Sequence, residues 1–113
     1  MECVFCKIVK GEVSADIIYK SDEIVAFKDI KPKAPYHILI IPKRHIPTLD
    51  DISDEDYILI GKMFIVARNI ARSIGINKAG YRTVFNCRVD GGQEIYHLHL
   101  HLLGGRKMNW PPG

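Results

Sequence analysis

Hydrophobic and polar positions alternate most regularly at residues 97–102, which read His-Leu-His-Leu-His-Leu. Successive side chains of a strand point to opposite faces. A strand here therefore puts His97, His99 and His101 on one face and Leu98, Leu100 and Leu102 on the other. The leucine face can bury in a core while the imidazoles stand in a row, each about 6.6 Å from the next. A helix over the same residues would scatter the histidines around its axis and waste the pattern. Three histidines in register point to function rather than to chance solvation.

The rest of the chain is patterned around this segment. Ile24 to Lys28 reads as a strand ending at Asp29 and the turn-prone Lys31-Pro32-Lys33-Ala34-Pro35. His37 to Ile41 is an apolar, β-branched-rich strand closed by Pro42. Ser53 is an N-cap, with Asp54, Glu55 and Asp56 in a first turn whose dipole favours acids. From there Ile58, Leu59, Met63, Val66, Ala67, Ile70, Ala71 and Ile74 recur with helical spacing, and Gly75 suits the C′ position. The result is one amphipathic helix of roughly 20 residues. Tyr81 to Asn86 reads as a strand, Gly91-Gly92 as a turn, and Leu103-Gly104-Gly105 as the end of the histidine strand. One long helix among hairpin-like strands predicts an α+β fold with an antiparallel sheet.

A chain of 113 residues predicts one domain spanning 1–113. Net charge is +3, and it is dispersed from Lys7 to Lys107. That is too little for a duplex nucleic-acid surface but suits a small anionic ligand. No apolar run is long enough to span a membrane, and the first residues lack a signal-peptide pattern, so the expectation is a cytoplasmic protein. Three cysteines, an odd number, fit reduced thiols or a metal site better than a disulfide framework.

Three aligned imidazoles can chelate one metal ion or carry out covalent catalysis, one attacking while its neighbours assist. Asn86 can donate an amide N–H, and Gly91-Gly92-Gln93 offers backbone N–H groups suited to a phosphate. These neighbours favour phosphate chemistry over a metal triad. Cys3-Val4-Phe5-Cys6 is a C-x-x-C pair. It reads either as simple thiols or as half of a tetrahedral zinc site, closed by His45 and His97. Cys87 is expected in the core.

The segment from Gly92 to Leu103 resembles the signature of the histidine triad superfamily, His-x-His-x-His followed by two apolar residues. The tail from Gly104 to Gly113 resembles the end of its Hint branch, the purine nucleoside phosphoramidases. The likeness extends to Phe27-Lys28-Asp29-Ile30, Ala34-Pro35-Tyr36-His37 and Ile41-Pro42-Lys43-Arg44-His45. The resemblance implies a sheet of about five strands with one long helix and a short N-terminal helix. It further implies a homodimer whose sheets join into one, the Trp110 tail reaching toward the neighbour's site. Uncovered sheet edges argue the same way.

By the same resemblance, the activity is cleavage at the α-phosphorus of a purine nucleoside 5′-phosphoramidate or an aminoacyl adenylate. His99 would attack phosphorus to give a nucleotidyl-histidine that water then cleaves. His101, Asn86 and the backbone near Gly92, Gln93 and Glu94 would stabilise the phosphoryl charge, with His37 behind the row. His97 is a catalytic-row member better suited to orient or to ligate zinc. Val4, Phe5, Phe27 and Ile30 would enclose the nucleoside, and Asp29 would accept from the ribose hydroxyls. Catalysis would need no cofactor, and any zinc on Cys3, Cys6, His45 and His97 would be structural. Position 94 is Glu where the best-known animal members carry Ser at the place credited with protonating the leaving group. A nucleotide-sensing module acting through a protein partner, with incidental hydrolysis, is the alternative.

Overall fold

The computed structural model describes residues 3–113. Its centre is a five-stranded antiparallel sheet, made of β1 (Ile17–Lys20), β2 (Ile24–Lys28), β3 (Tyr36–Pro42), β4 (Tyr81–Val84) and β5 (Leu100–Gly104). The strand order is β1-β2-β3-β5-β4. The long helix, α2 (Tyr57–Ile74), covers one face, and the shorter α1 (Val4–Lys10) contributes to the other. A third helical turn, α3 (Arg88–Gly91), lies between β4 and β5.

Alternation within the strands sorts side chains between two cores. Ile24, Ala26, Ile38, Ile40, Leu100 and Leu102 pack toward Leu59, Met63, Val66, Ala67 and Ile70 of α2. Val25, Phe27, Leu39 and Ile41 pack toward Phe5 and Ile8 of α1. Each fully buried aliphatic side chain contributes about 1.5–3 kcal/mol, so the α2 face supplies most of the hydrophobic stabilisation.

The start of α2 follows the expected cap, with one refinement. Asp56 Oδ2 accepts hydrogen bonds from the Ser53 N–H at 2.8 Å and the Ser53 hydroxyl at 3.2 Å. Asp54–Asp56 forms a 3-10 turn, and the α-helix proper begins at Tyr57. Arg44 pairs with Asp56 and, with Ser53, holds its carboxyl below the usual range. Gly75 ends the helix at φ 88, its N–H returning to the Ala71 carbonyl.

The histidine segment is shorter as a strand than its alternation predicts. Pairing with β3 begins at Leu100 opposite Ile40, leaving His97, Leu98 and His99 outside the ladder. The neighbour explains it. Odd-numbered β3 residues bond toward β2, as the His37 carbonyl does with the Asp29 N–H, so even-numbered ones face β5. The next is Pro42, which has no N–H to give. Its carbonyl lies 2.8 Å from His97 Nε2, and the Leu98 N–H donates instead to the Ile46 carbonyl at 2.6 Å. The leucines still bury as expected, at 1% exposure or less. Cys87 is half-buried at the N-cap of α3 rather than in the core.

Candidate active site

On the α1 face, β5 and the residues before it present His99 and His101, and β3 adds His37. Ring centroids of His99 and His101 are 4.9 Å apart, and those of His101 and His37 are 5.1 Å apart. The row of imidazoles is thus His99, His101 and His37, drawn from two strands. His97 leaves it for a separate cluster. His37 Nε2 lies 2.9 Å from His101 Nδ1 and 3.4 Å from Asp29 Oδ2. Asp29 is itself fixed where β2 ends, its Oδ1 accepting the Lys31 N–H at 2.8 Å.

His99 Nδ1 lies 2.7 Å from the His97 carbonyl oxygen. A carbonyl can only accept, so Nδ1 carries the ring proton and Nε2 keeps its lone pair. Burial lowers the pKa of His99, opposed by its bond to the His97 carbonyl and by the charges of Asp29 and Glu94. Burial lowers His37 as well, and it pushes His101 down to about 4, helped by the neighbouring His99 and His37. At neutral pH the row is uncharged, and His99 Nε2 carries a free lone pair. The Phe5 ring stands edge-on to His99 at 5.2 Å and to Phe27 at 5.3 Å, walling this side of the row. Val4 is 42% exposed and Ile30, next to Asp29, is 89% exposed, so the remaining two apolar positions stand in solvent.

In the loop before the row, the Gly92 and Gln93 N–H groups donate to the Val89 and Arg88 carbonyls, closing α3. The Gln93 side chain is buried and fully committed. Its Oε1 accepts the Arg88 N–H at 2.9 Å, and its Nε2 donates to the carbonyls of Pro47 at 2.8 Å and Ile95 at 3.1 Å. Gln93 therefore shapes the loop instead of contacting a ligand through its amide, which no spacing rule reveals because Pro47 is distant in sequence. Asn86 is half-buried where the chain leaves β4, and Glu94 is exposed.

Beside the row lies a second constellation. Cys3, Cys6, His45 and His97 bring one ligand atom each to within 4.8 Å of every other. Cys3 Sγ is 3.4 Å from His97 Nδ1, Cys6 Sγ is 3.3 Å from His45 Nδ1, and the two Nδ1 atoms are 3.2 Å apart. A zinc tetrahedron with Zn–S near 2.3 Å and Zn–N near 2.05 Å has edges of about 3.3 Å between nitrogens and about 3.6 Å between nitrogen and sulfur. The donor set fits. The Pro42 carbonyl accepts from His97 Nε2–H, which leaves Nδ1 unprotonated and turned to the thiols, the usual support for a ligating imidazole. His45 Nε2 is buried without a partner. Burial and the Cys3 thiol push the Cys6 thiol up, a tendency a bound cation reverses. With both ring nitrogens engaged, His97 meets the row through its carbonyl, and the Phe5 ring stands edge-on to both His97 and His99.

Residues 2–110 match the family model described as scavenger mRNA decapping enzyme C-term binding. A HIT family hydrolase from Legionella pneumophila Philadelphia 1 superposes with a TM-score of 0.97 at 52% identity, covering 99% of this chain and 100% of that one. The chain belongs to the histidine triad family. A histidine triad protein from Clostridium difficile superposes with a TM-score of 0.93 at 43% identity, over 96% and 95% of the two chains. A relative from Escherichia coli (strain K12), named purine nucleoside phosphoramidase, is 50% identical over 107 residues, or 95% of this chain and 90% of its own. The histidine triad fold predicted from the sequence, with its five antiparallel strands, long helix and short N-terminal helix, is the one observed.

Proposed function

We propose that this chain is a nucleotide hydrolase that cleaves the P–N bond of purine nucleoside 5′-phosphoramidates through a nucleotidyl intermediate on His99. The observation that carries the reading is the 2.7 Å contact between His99 Nδ1 and the His97 carbonyl, which leaves Nε2 with a lone pair. The likeness to the E. coli phosphoramidase supports the substrate class.

In this reading His99 Nε2 attacks the α-phosphorus, the N–P bond to His99 forms, and the P–N bond to the amine breaks as the amine takes up a proton. Water then attacks phosphorus, releasing the nucleoside monophosphate and restoring neutral His99. His101 and Asn86 donate to the phosphoryl oxygens as charge builds. Phe5, Phe27, Val4 and Ile30 hold the purine nucleoside, and the Asp29 carboxylate accepts from its 2′- and 3′-hydroxyls. Glu94 is exposed and its charge reaches His99; in this reading it lies beside the departing amine. Incubation with adenosine 5′-phosphoramidate followed by mass spectrometry should find the nucleotidyl adduct on His99. Tight nucleotide binding without turnover or adduct would favour a sensing module instead.

Zinc in this reading is held by Cys3, Cys6, His45 and His97. It supplies structural fastening, tying α1 to the residues that lead into β5, while the hydrolytic steps need no cofactor. The chain acts as a single domain over 1–113 and as a homodimer. Supporting the dimer, β4 lies at the edge of the sheet, and Tyr57, Ile58, Phe64 and Ile65 of α2 are exposed. Light scattering should return twice the 12.8 kDa of one chain, and a monomer would overturn this. No helix among the described residues is long and apolar enough to cross a membrane. The thiols suit a reducing cytoplasm, and neither nucleic acid nor membrane is a partner in this reading.

A further inference from the structure

Where the chain leaves β5 it lies flat against the loop that precedes β3. Arg106 donates from Nε and Nη2 to the Lys33 carbonyl, at 3.1 and 2.9 Å. Gly105, just before it, has φ 91, and a Cβ there would come within 2.8 Å of Pro35 Cβ and 3.1 Å of Tyr36 Cδ2. The close approach admits only glycine and sets the guanidinium over residue 33. Lys33 in turn donates its own N–H to His37 Nδ1 at 3.0 Å. A clasp at the C-terminal exit thus ends, one residue on, at an imidazole of the catalytic row.

The direction of the hydrogen bonds follows from the backbone. A peptide N–H can only donate, so His37 Nδ1 must hold a lone pair, and the ring proton of neutral His37 sits on Nε2. That proton is shared with His101 Nδ1 at 2.9 Å and Asp29 Oδ2 at 3.4 Å, both of which accept. His101 Nδ1 therefore also holds a lone pair, and the proton of neutral His101 sits on Nε2. With the polarity reversed, His101 would turn a lone pair toward phosphoryl oxygens that can only accept.

We propose that Arg106 is a positioning residue for the reaction. By holding the Lys33 carbonyl it fixes the backbone of residue 33, whose N–H, in the preceding peptide group, points at His37 and sets the direction of the hydrogen bonds through His37 to His101. His101 then meets the phosphoryl group as an N–H donor. The proposal rests on the reading of His99 as nucleophile for the identity of the group being stabilised, but the ring protonation it requires exists without substrate.

The test begins with long-range proton–nitrogen NMR of the 15N-histidine-labelled protein at neutral pH, without ligand. His37 and His101 should each show an unprotonated Nδ1 and a protonated Nε2, and the opposite tautomer at either overturns the proposal. In Arg106→Ala the His101 signals should move toward a mixture of tautomers. With adenosine 5′-phosphoramidate, kcat should fall about fivefold to tenfold while KM stays within about twofold. Arg106→Lys, which keeps one donor, should recover part of the loss. A lowered melting temperature with unchanged tautomers, or an unchanged kcat, would make the clasp merely structural and overturn the proposal. Failure to find the adduct on wild-type His99 would count against the hydrolase reading, while the ligand-free spectrum decides the relay separately.

Discussion

Toward α2 the sheet presents Ile24, Ala26, Ile38, Ile40, Leu100 and Leu102, which join Leu59, Met63, Val66, Ala67 and Ile70 of the helix. Toward α1 the same strands present Val25, Phe27, Leu39 and Ile41, interleaved with His37 and His101 and walled by Phe5. One side is closed by an 18-residue helix, the other by one of seven residues. Because side chains alternate, β5 and the residue before it serve both: Leu100 and Leu102 pack into the fold, while His99 and His101 join the row of imidazoles. The α2 face carries most of the apolar burial, and the difference should show as a separation between stability and activity.

The sharpest way to break that separation is His99→Ala. Turnover should fall by about a thousandfold or more, with nucleotide binding and melting temperature largely kept. Steady-state rates and calorimetric AMP binding on one preparation would check it. On the opposite face, Leu100→Ala should destabilise the chain by about 3 kcal/mol, measured by urea denaturation, while the specific activity of the folded fraction holds. If the activity of folded Leu100→Ala fell as far as that of His99→Ala, the two faces would not be separable.

Cys6→Ser addresses the border between them. Elemental analysis should find about one zinc per wild-type chain and much less in the variant, with a fall in melting temperature of several degrees. Equal stability with and without metal would return the cysteines to ordinary thiols. The smallest expected effect is on acid stability. Burial and the neighbouring His99 and His37 push His101 down to about 4 in the native chain, against the usual imidazole value of about 6.5. Between those values the unfolded chain binds a proton that the native chain refuses, so stability is full above pH 6.5 and declines as pH falls toward 4. Melting curves of His101→Gln should show a shallower decline than wild type over that window.

Much of the stabilising face was legible in the sequence, because its signals are local. The Ser53 cap, the acids after it, the helical period and Gly75 lie within one stretch, and the predicted helix formed there. β1 carried no such signal. All four of its residues are exposed, and a bulge between Ile17 and Tyr19 breaks its register, so there is no alternation to see. The chemical face was legible in its residue types and less so in its geometry. The spacing of three histidines suggested one row, yet His97 drops out because Pro42 cannot extend the ladder. The Gly91-Gly92-Gln93 stretch suggested a phosphate cradle, yet Gly92 and Gln93 spend their amides closing α3. For His97 the deciding partner, Pro42, lies far along the chain, where spacing says nothing; for Gly92 and Gln93 it is the short helix just before them, which in the sequence reads as a plain turn.

His97 gives the molecule an unusual mode of failure. Its ring sits with Cys3, Cys6 and His45, and its carbonyl holds the proton of His99. The two sites are therefore wired in series through one residue. Damage to the thiols has a short route to His99, a single ring and the peptide that carries it. An injury at the cysteines should silence the reaction before the sheet comes apart, whereas the reaction can be lost at His99 with the anchor intact.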